Sequence, residues 1–221
     1  MKKVGDYWLP DQDMRWGSNR RKSKAAYAHG GRGEQIHHLE DALASVPRRT
    51  TAIDVGANIG AYVRLLAEAF DHVVAIEPAA DAAACLRRNI ADWGVAERVT
   101  VHEIAASDRD ERVAMEAEPG RRTLTRHVTP GGDIPALPID RLAVCDVAFL
   151  KLDVEGYEER ALHGARQTIL RDRPVIMMEV KVQTDARYGR AMAAHTLVES
   201  LGYRLLRKIG AKEIDWLYAP G

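Results

Sequence analysis

The sequence predicts an α/β fold, namely a doubly wound, mostly parallel sheet of seven strands with an N-terminal helical extension. Short apolar runs alternate with longer stretches whose apolar residues recur every three or four positions, which is the pattern of strands alternating with amphipathic helices. Runs such as AFLKL and VIMME contain almost no polar position. Such runs are typical of parallel strands that helices cover on both faces.

The start of the chain is predicted to precede the main domain. Residues 1–33 mix aromatic side chains with a basic run and are interpreted as an arm or loop. From Glu34 onward, apolar residues recur at helical spacing, so one amphipathic helix is expected to end before Pro47. We therefore expect an N-terminal arm and helix over 1–48 and the main domain over 49–221.

The main domain contains the alternating elements. Predicted strands are 51–55, 72–76, 99–105, 147–154, 174–180, 204–209 and 216–219. Helical stripes lie between them at 59–70, 82–93, 162–169 and 194–201. Residues 116–133 break the rhythm with Gly, Pro and Arg, and are predicted to form an inserted loop or a short hairpin.

Composition limits the classes of partner. The 32 basic and 32 acidic residues leave no net charge, so the whole molecule offers no long-range attraction to nucleic acid or to a membrane. Two cysteines without a CxxC motif argue against a disulfide framework and against a Cys-rich zinc site. No apolar leader and no run of roughly 18 apolar residues is found, so a cytoplasmic protein is expected.

The turn after the first strand reads DVGANIG, from Asp54 to Gly60. Ligands of open α/β sheets bind at the carboxyl ends of the strands, so this turn is the first candidate site. Gly56 and Gly60 permit left-handed backbone and close approach to a ligand, and the following helix offers unpaired N–H groups. Asn58 is either a ligand contact or an ordinary N-cap of that helix.

The absence of two motifs limits the classes of ligand that this turn could bind. No GxxxxGK[ST] is present, which excludes a Walker-type triphosphate cradle. A nicotinamide dinucleotide requires GxGxxG, and DVGANIG places Ala and Asn where bare backbone is needed. A ligand with an amino-acid end fits better than a diphosphate.

The second strand ends in IEP, with Glu77 at its carboxyl tip. An acidic residue about 20 positions beyond the glycine turn accepts both ribose hydroxyls in nucleotide-binding folds. The alternative is a surface Glu at a strand end, with Pro78 opening the next helix at N1. An adenosine joined to an amino acid is S-adenosylmethionine, which we predict as the cofactor, with Pro78 among its contacts.

The third strand leads into IAASD, where Asp108 follows the carboxyl end. Its carboxylate could accept a hydrogen bond from an adenine amino group, while Ala106 and Ser107 supply backbone contacts. The alternative is an ordinary Asp that stabilises a turn by local hydrogen bonding.

These motifs together resemble the FkbM family of class I S-adenosylmethionine-dependent methyltransferases. The ordered series is DVGANIG, AIEP, RRNI, IAASD, LPIDRL, LKLDVEGYEERALHGA and PVIMMEV, over about residues 52–180. KLDVEGYE is the most family-specific block, because the glycine turn occurs across class I methyltransferases. The resemblance implies a Rossmann-like fold and methylation of hydroxyl oxygens.

The fourth strand adds charge to the site. Side chains alternate along the predicted strand in FLKLDVEGYE, so Lys151, Asp153 and Glu155 are expected to share one face. Burying unpaired charges costs several kcal/mol each, so we expect them at the carboxyl end, over the methyl donor. Asp153 is the predicted general base or hydroxyl anchor, with Lys151 and Glu155 tuning its charge or holding the acceptor. The alternative is a satisfied ion-pair cluster. Glu179 is predicted to face the same pocket, or else solvent or a helix.

Two other readings are disfavoured. His37 and His38 share helix faces with only one acidic residue each, so no metal site is predicted. Trp16 and Tyr27 flank the basic run, with Arg121, Arg122 and Arg126 as possible helpers, but the Pro-Pro-aromatic motif of many DNA amino-methyltransferases is missing. We predict O-methylation of a small molecule or sugar, and no membrane partner. The alternatives are a nucleic-acid methyltransferase and a non-catalytic S-adenosylmethionine-binding module.

Overall fold

The computed structural model of the chain describes residues 1–12, 34–117, 126–180, 192–210 and 214–221, with backbone alone at 34–36. The strands there are β1 Lys2–Val4, β2 Tyr7–Leu9, β3 Thr51–Val55, β4 His72–Ile76, β5 Val99–His102, β6 Ala105–Ala106, β7 Glu111–Ala117, β8 Arg126–Pro130, β9 Ile134–Leu137, β10 Val147–Leu152, β11 Val175–Glu179, β12 Tyr203–Ile209 and β13 Asp215–Pro220. The helices are α1 Glu34–Leu43, α2 Ala61–Ala69, α3 Ala80–Asp92, α4 Glu158–Gly164, α5 Arg166–Asp172 and α6 Ala193–Ser200. Short 3₁₀ turns lie at Ala96–Arg98 and Ile139–Leu142.

The main sheet has seven strands in the order β12-β13-β11-β10-β3-β4-β5. The strands from β11 to β5 run parallel, and β13 pairs antiparallel with both β11 and β12. The predicted mostly parallel, doubly wound sheet is therefore confirmed. The carboxyl ends of β3, β4, β10 and β11 meet at one edge of this sheet.

Helices cover both faces of the sheet. On one face, Ile53, Leu150 and Ile176 pack with buried residues of α4, α5 and α6. On the other, Ala52, Phe149 and neighbouring residues pack with α1, α2 and α3. Both faces are apolar because successive side chains of a strand point to opposite sides. Burying each large aliphatic side chain contributes roughly 1.5–3 kcal/mol.

A second sheet stands where an inserted loop or short hairpin was predicted. Its order is β6-β9-β7-β8, and only the β7/β8 pairing corresponds to the predicted hairpin. The predicted strand at 99–105 is interrupted, because β5 ends at His102 and Ala105–Ala106 pairs with β9 instead. The strands β7 and β8 lack an apolar run, which hid them in the sequence. Residues 118–125 lie outside the described part.

Residues 2–9 form a hairpin, whereas an arm or loop was predicted over 1–33. Strands β1 and β2 form an antiparallel hairpin that packs against α3. Buried Asn89, in the RRNI motif, accepts from the Trp8 N–H at 2.6 Å and donates to the Trp8 carbonyl at 3.1 Å. The Trp8 indole also donates to Asp92 at 2.8 Å. The basic run with Trp16 and Tyr27 lies outside the described residues, whereas α1 is confirmed.

The predicted helical stripe at 162–169 forms two helices that meet at Ala165. Asp140, in the LPIDRL motif, accepts from the backbone N–H groups of Gln167 at 2.9 Å and Thr168 at 2.8 Å. A carboxylate at the start of a helix satisfies N–H groups that lack intrahelical partners. This motif therefore has a structural role in starting α5.

None of the helices in the described ranges combines the length and apolar character needed to cross a membrane.

Candidate active site

The glycine bend, which we define as residues 54–60, joins β3 to α2 at the carboxyl edge of the sheet. The N–H groups of Gly56 and Ala57 both donate to the Ile76 carbonyl, at 2.9 and 3.0 Å, so the bend is fixed to the end of β4. Gly56 has φ +83°, and a Cβ there would lie 2.0 Å from the Asp153 carbonyl oxygen. Glycine is required here because the chain leaving β10 passes directly against the bend.

Asn58 does not cap the following helix, so that alternative was wrong. The helix α2 begins after Gly60, which has φ +94° and supplies no side chain. Asn58 itself has φ +51°, a left-handed conformation that Asn tolerates better than most residues. Its Oδ1 atom is buried and has no hydrogen-bond partner among the described residues. An acceptor is therefore left available inside the bend.

Glu77 lies against the bend, as predicted. Its Oε2 accepts from the Asn58 N–H at 2.8 Å and its Oε1 accepts from the Ala79 N–H at 2.8 Å. The side chain is buried, and burial raises the pKa of Glu77 to about 7 although both backbone donors oppose the shift. Each oxygen retains a lone pair that could accept a further hydrogen bond. Pro78 precedes Ala79, the N-cap of α3, so it does not occupy N1 as the alternative required.

Asp54 and Lys151 form a buried ion pair across β3 and β10. The two residues are directly opposite in the parallel register, and Lys151 Nζ lies 3.1 Å from Asp54 Oδ1. Burial alone would lower the pKa of Lys151, but Asp54 and Asp153 outweigh it and raise the value to about 12. The ammonium also lies 4.4 Å from the Tyr62 ring centroid, and Asp54 Oδ2 is buried without a partner among the described residues.

The charges that follow Lys151 converge by a route other than the one predicted. The strand β10 ends at Leu152, so Lys151, Asp153 and Glu155 do not alternate along a strand. Glu155 instead has φ +54° in a turn. Buried Glu158 holds this turn, because its Oε1 accepts from the Val154 N–H at 3.0 Å. Burial raises the pKa of Glu158 to about 7.

Three carboxylates meet beyond the end of the sheet. One carboxylate oxygen each of Asp153, Glu155 and Glu179 lies within 4.8 Å of the other two, and all three residues are half-buried. The structure therefore brings Glu179 together with the predicted catalytic residues. Asp153 Oδ2 also lies 3.8 Å from Lys151 Nζ. Such oxygens could ligate a hard divalent cation, although the sequence analysis predicts no metal.

Asp108 lies in a separate polar network. Its Oδ1 is 3.4 Å from Arg160 Nε, and the Ser107 hydroxyl donates to Glu111 at 2.7 Å. Ala106 is buried in β6. Asp108 is therefore already ion-paired, and its contact with adenine stays a prediction.

Three residues beside this pocket were not predicted to lie there, namely Tyr62, Asp215 and His38. Tyr62 follows the bend in α2, where an aromatic residue is indistinguishable from core. Asp215 lies directly opposite Glu179 in the β11/β13 pairing, and its Oδ2 is 2.8 Å from His38 Nδ1. No local motif marks Asp215 or His38, since their proximity depends on strand order and on where α1 packs.

Comparison with known proteins supports this description. The family model described as the methyltransferase FkbM domain matches residues 54–205. No curated protein matches the chain.

Solved structures show the same fold. An FkbM methyltransferase from Methylobacillus flagellatus is 22% identical with a TM-score of 0.54, over 80% of this chain and 45% of that one. This chain thus spans less than half of that protein. A putative O-methyltransferase from Klebsiella pneumoniae is 15% identical with a TM-score of 0.52, covering 88% and 83% of the two chains. A putative rRNA methylase from Clostridium thermocellum is 11% identical with a TM-score of 0.53, covering 83% and 94%.

Proposed function

We propose, from the premise that the chain belongs to the FkbM methyltransferase family, that it transfers a methyl group from S-adenosylmethionine to a hydroxyl oxygen of a small molecule or sugar. One observation carries this proposal. The carboxylate of Glu77 is bound to the backbone of the glycine bend, and two buried acceptors of that bend lack partners among the described residues.

The residues of the bend fit the cofactor. A buried acceptor without a hydrogen bond costs about 1–3 kcal/mol, and both Asp54 Oδ2 and Asn58 Oδ1 are in that state. The ammonium of an amino-acid group would donate to such oxygens, while the spare lone pairs of Glu77 suit the two ribose hydroxyls. When bound, S-adenosylmethionine supplies an electrophilic methyl group. Holding it and preparing the acceptor are tasks for the chain.

Asp153 is the proposed anchor and proton acceptor for the reacting hydroxyl. It lies beyond the end of β10, is partly accessible, and is close to a buried ammonium. The Lys151 ammonium is 3.8 Å from Asp153 Oδ2 and is itself fixed by a hydrogen bond to Asp54. Glu155 and Glu179 surround the same space. Because methyl transfer needs an in-line approach of the acceptor, positioning is the main contribution of these side chains.

The charge of this pocket supports a neutral or cationic acceptor. The Lys151 ammonium already pairs with Asp54, so it is not available to a phosphate. The three neighbouring carboxylates therefore dominate the charge of the pocket and would repel a phosphate. A nucleic-acid acceptor is therefore disfavoured. Of the possible basic helpers, Arg121 and Arg122 lie outside the described residues, and Arg126 pairs with both oxygens of Asp81 at 2.5 and 2.6 Å.

Calorimetry tests the cofactor assignment. We expect S-adenosylmethionine and S-adenosylhomocysteine to bind the wild type, and Glu77→Ala to weaken both by at least about tenfold, since hydrogen bonds to charged groups contribute roughly 1.5–3 kcal/mol. Equal affinity in the two proteins would remove the ribose contact. Tight binding of NADH would favour a dehydrogenase instead.

Turnover tests the catalytic assignment. A panel of neutral polyols, sugars and amino sugars is assayed for S-adenosylhomocysteine release, and Asp153→Asn is expected to lower the rate about 10²–10⁴-fold. A wild-type rate in this variant contradicts the role of Asp153. Cofactor binding without turnover of any acceptor would support the non-catalytic binding module.

A further inference from the structure

The carboxylate of Asp215 lies on the same sheet face as the pocket. Asp215 begins β13 and is directly opposite Glu179 in the antiparallel pairing with β11. Directly opposite residues place their Cβ atoms about 4.5–5.5 Å apart on one face. A carboxylate oxygen of Glu179 lies within 4.8 Å of one from Asp153 and one from Glu155. Asp215 therefore adds a fourth carboxylate to this group, from the next strand of the sheet.

Electrostatic interactions agree with this proximity. The charges of Lys151 and Asp153 both act on the carboxyl of Asp215, and burial followed by the charge of Asp215 raises the pKa of the Tyr62 hydroxyl. Burial raises the pKa of Asp215, and the hydrogen bond from His38 opposes that shift. Asp215 therefore shares one electrostatic environment with the proposed catalytic residues.

Helix α1 fixes the orientation of this carboxylate. His38 Nδ1 donates to Asp215 Oδ2 at 2.8 Å, and the two side chains are only 18% and 14% exposed. The imidazole is packed against the backbone at Gly210, where an added Cβ would lie 2.3 Å from Cε1. The ring is thus confined between the end of β12 and the start of β13. Asp215 Oδ1 has no hydrogen bond to any other described residue, so it is the oxygen that remains to accept one.

We propose that Asp215, oriented by His38, binds the methyl acceptor. Asp215 then completes an acceptor wall, defined as Asp153, Glu155, Glu179 and Asp215. Oδ1 would accept a hydrogen bond from a hydroxyl or ammonium group that neighbours the reacting hydroxyl. The acceptor class is therefore a polyol or an amino alcohol rather than a molecule with an isolated hydroxyl. Asp215 is the residue that contacts the acceptor, and His38 is a positioning residue. This inference rests on the proposed function of the same pocket.

Two cofactor analogues test it without a known acceptor. S-adenosylhomocysteine carries nothing beyond sulfur, whereas sinefungin carries a protonated amine where the transferred methyl group stands. The ratio of their dissociation constants, measured by calorimetry, therefore reports on groups of the acceptor wall. We expect Asp215→Asn to reduce the preference for sinefungin about tenfold while leaving affinity for S-adenosylhomocysteine within about twofold, as for loss of a charge-assisted hydrogen bond.

The His38 variants separate orientation from folding. His38→Ala is expected to reduce the same ratio, and His38→Asn to restore it in part, because the Asn amide can donate from the position of Nδ1. The control is His37→Ala, since His37 is exposed on the same helix and contacts only Glu40 among the described residues. It should leave the ratio unchanged.

The outcomes are distinguishable. A wild-type ratio in Asp215→Asn, or an equal loss of both ligands, overturns the assignment of Asp215 to the acceptor wall. A full loss in His38→Asn equal to that in His38→Ala overturns the orienting hydrogen bond. Failure of the wild type to bind either analogue would instead count against the proposed function.

Discussion

The glycine bend and the acceptor wall are built in different ways. The bend is held mainly by hydrogen bonds from backbone groups. Glu77 accepts from the N–H groups of Asn58 and Ala79, and the Ile76 carbonyl accepts from two further N–H groups. The proposed acceptor wall is built from side chains: Asp153 follows β10, Glu155 lies in the turn after it, Glu179 ends β11 and Asp215 begins β13.

This difference suggests that the bend provides a rigid site and that the side chains of the wall determine which acceptor is bound. Backbone hydrogen bonds fix the shape of the bend and the place of the Glu77 carboxylate, provided that glycine is kept. In the wall, by contrast, each substitution of a side chain changes the surface that contacts the ligand. We therefore infer that the proposed cofactor site tolerates little backbone change. Exchange of side chains in the proposed acceptor wall should mainly affect binding of the acceptor.

The largest expected effect is at the contact between the two regions. Gly56→Ala forces a Cβ to within 2.0 Å of the Asp153 carbonyl, at φ +83°. Overpacking and left-handed strain together should lower the free energy of unfolding by roughly 4–6 kcal/mol, measured by urea denaturation. The matched control is Gly131→Ala, at φ +80° with nothing within 4 Å, which should cost only about 1–2 kcal/mol. Equal losses in the two variants would show that the close approach is not constraining.

The next effect concerns the ion pair beneath the wall. Lys151→Met leaves the carboxyl of Asp54 buried without its partner, and should lower the free energy of unfolding by about 3–5 kcal/mol. The double variant Asp54→Asn with Lys151→Met should recover part of this loss, because no uncompensated charge remains. A loss in the double variant as large as the sum of the single ones would contradict a direct interaction.

The third effect is a pH dependence that Glu77, beside the bend, shares with Glu158, which holds the turn after β10. Glu77 and Glu158 are buried acids whose pKa values rise from 4.5 to about 7 on folding. The folded state therefore holds their protons more tightly. The contribution of these two groups to stability is greatest below about pH 4.5 and is lost as pH rises through 7, by about 3 kcal/mol for each group. Urea denaturation at pH 5 and pH 8 should show a smaller fall in Glu77→Gln and in Glu158→Gln.

The pH dependence of ligand binding should distinguish Glu77 from Glu158. Only the ionised form of Glu77 can accept from both ribose hydroxyls, so affinity for S-adenosylhomocysteine should increase as pH rises through 7. Calorimetry should find this increase in the wild type and in Glu158→Gln, and not in Glu77→Gln. A flat wild-type profile would argue that Glu77 does not contact the ligand.

The smallest expected effect is that of a substitution in the proposed acceptor wall on binding at the glycine bend. Glu179→Gln should leave affinity for S-adenosylhomocysteine within about twofold, because the bend makes its contacts through other residues and an exchange of Glu for Gln keeps the shape. The same calorimetric titration measures it. A tenfold change would mean that the two regions are energetically coupled.

Local patterns predicted the parts of the molecule that depend on neighbouring residues. Helical spacing located α1, and the apolar run with its glycine turn located β3 and the bend. Strands that are half-buried and polar, such as β7 and β8, were not separable from a loop. The hairpin of β1 and β2 was also missed, because its partner Asn89 is distant in sequence.

The sequence by itself determined the mostly parallel sheet, the glycine bend and the position of Glu77 beside it, because each follows from period, turn chemistry and the geometry of adjacent parallel strands. Tertiary structure alone decided that Asp54 pairs with Lys151, that Asp153 leaves the strand into a turn held by Glu158, and that Asp215 joins the pocket. The physical reason is that contacts between distant segments depend on strand order, register and helix packing, which no local pattern encodes.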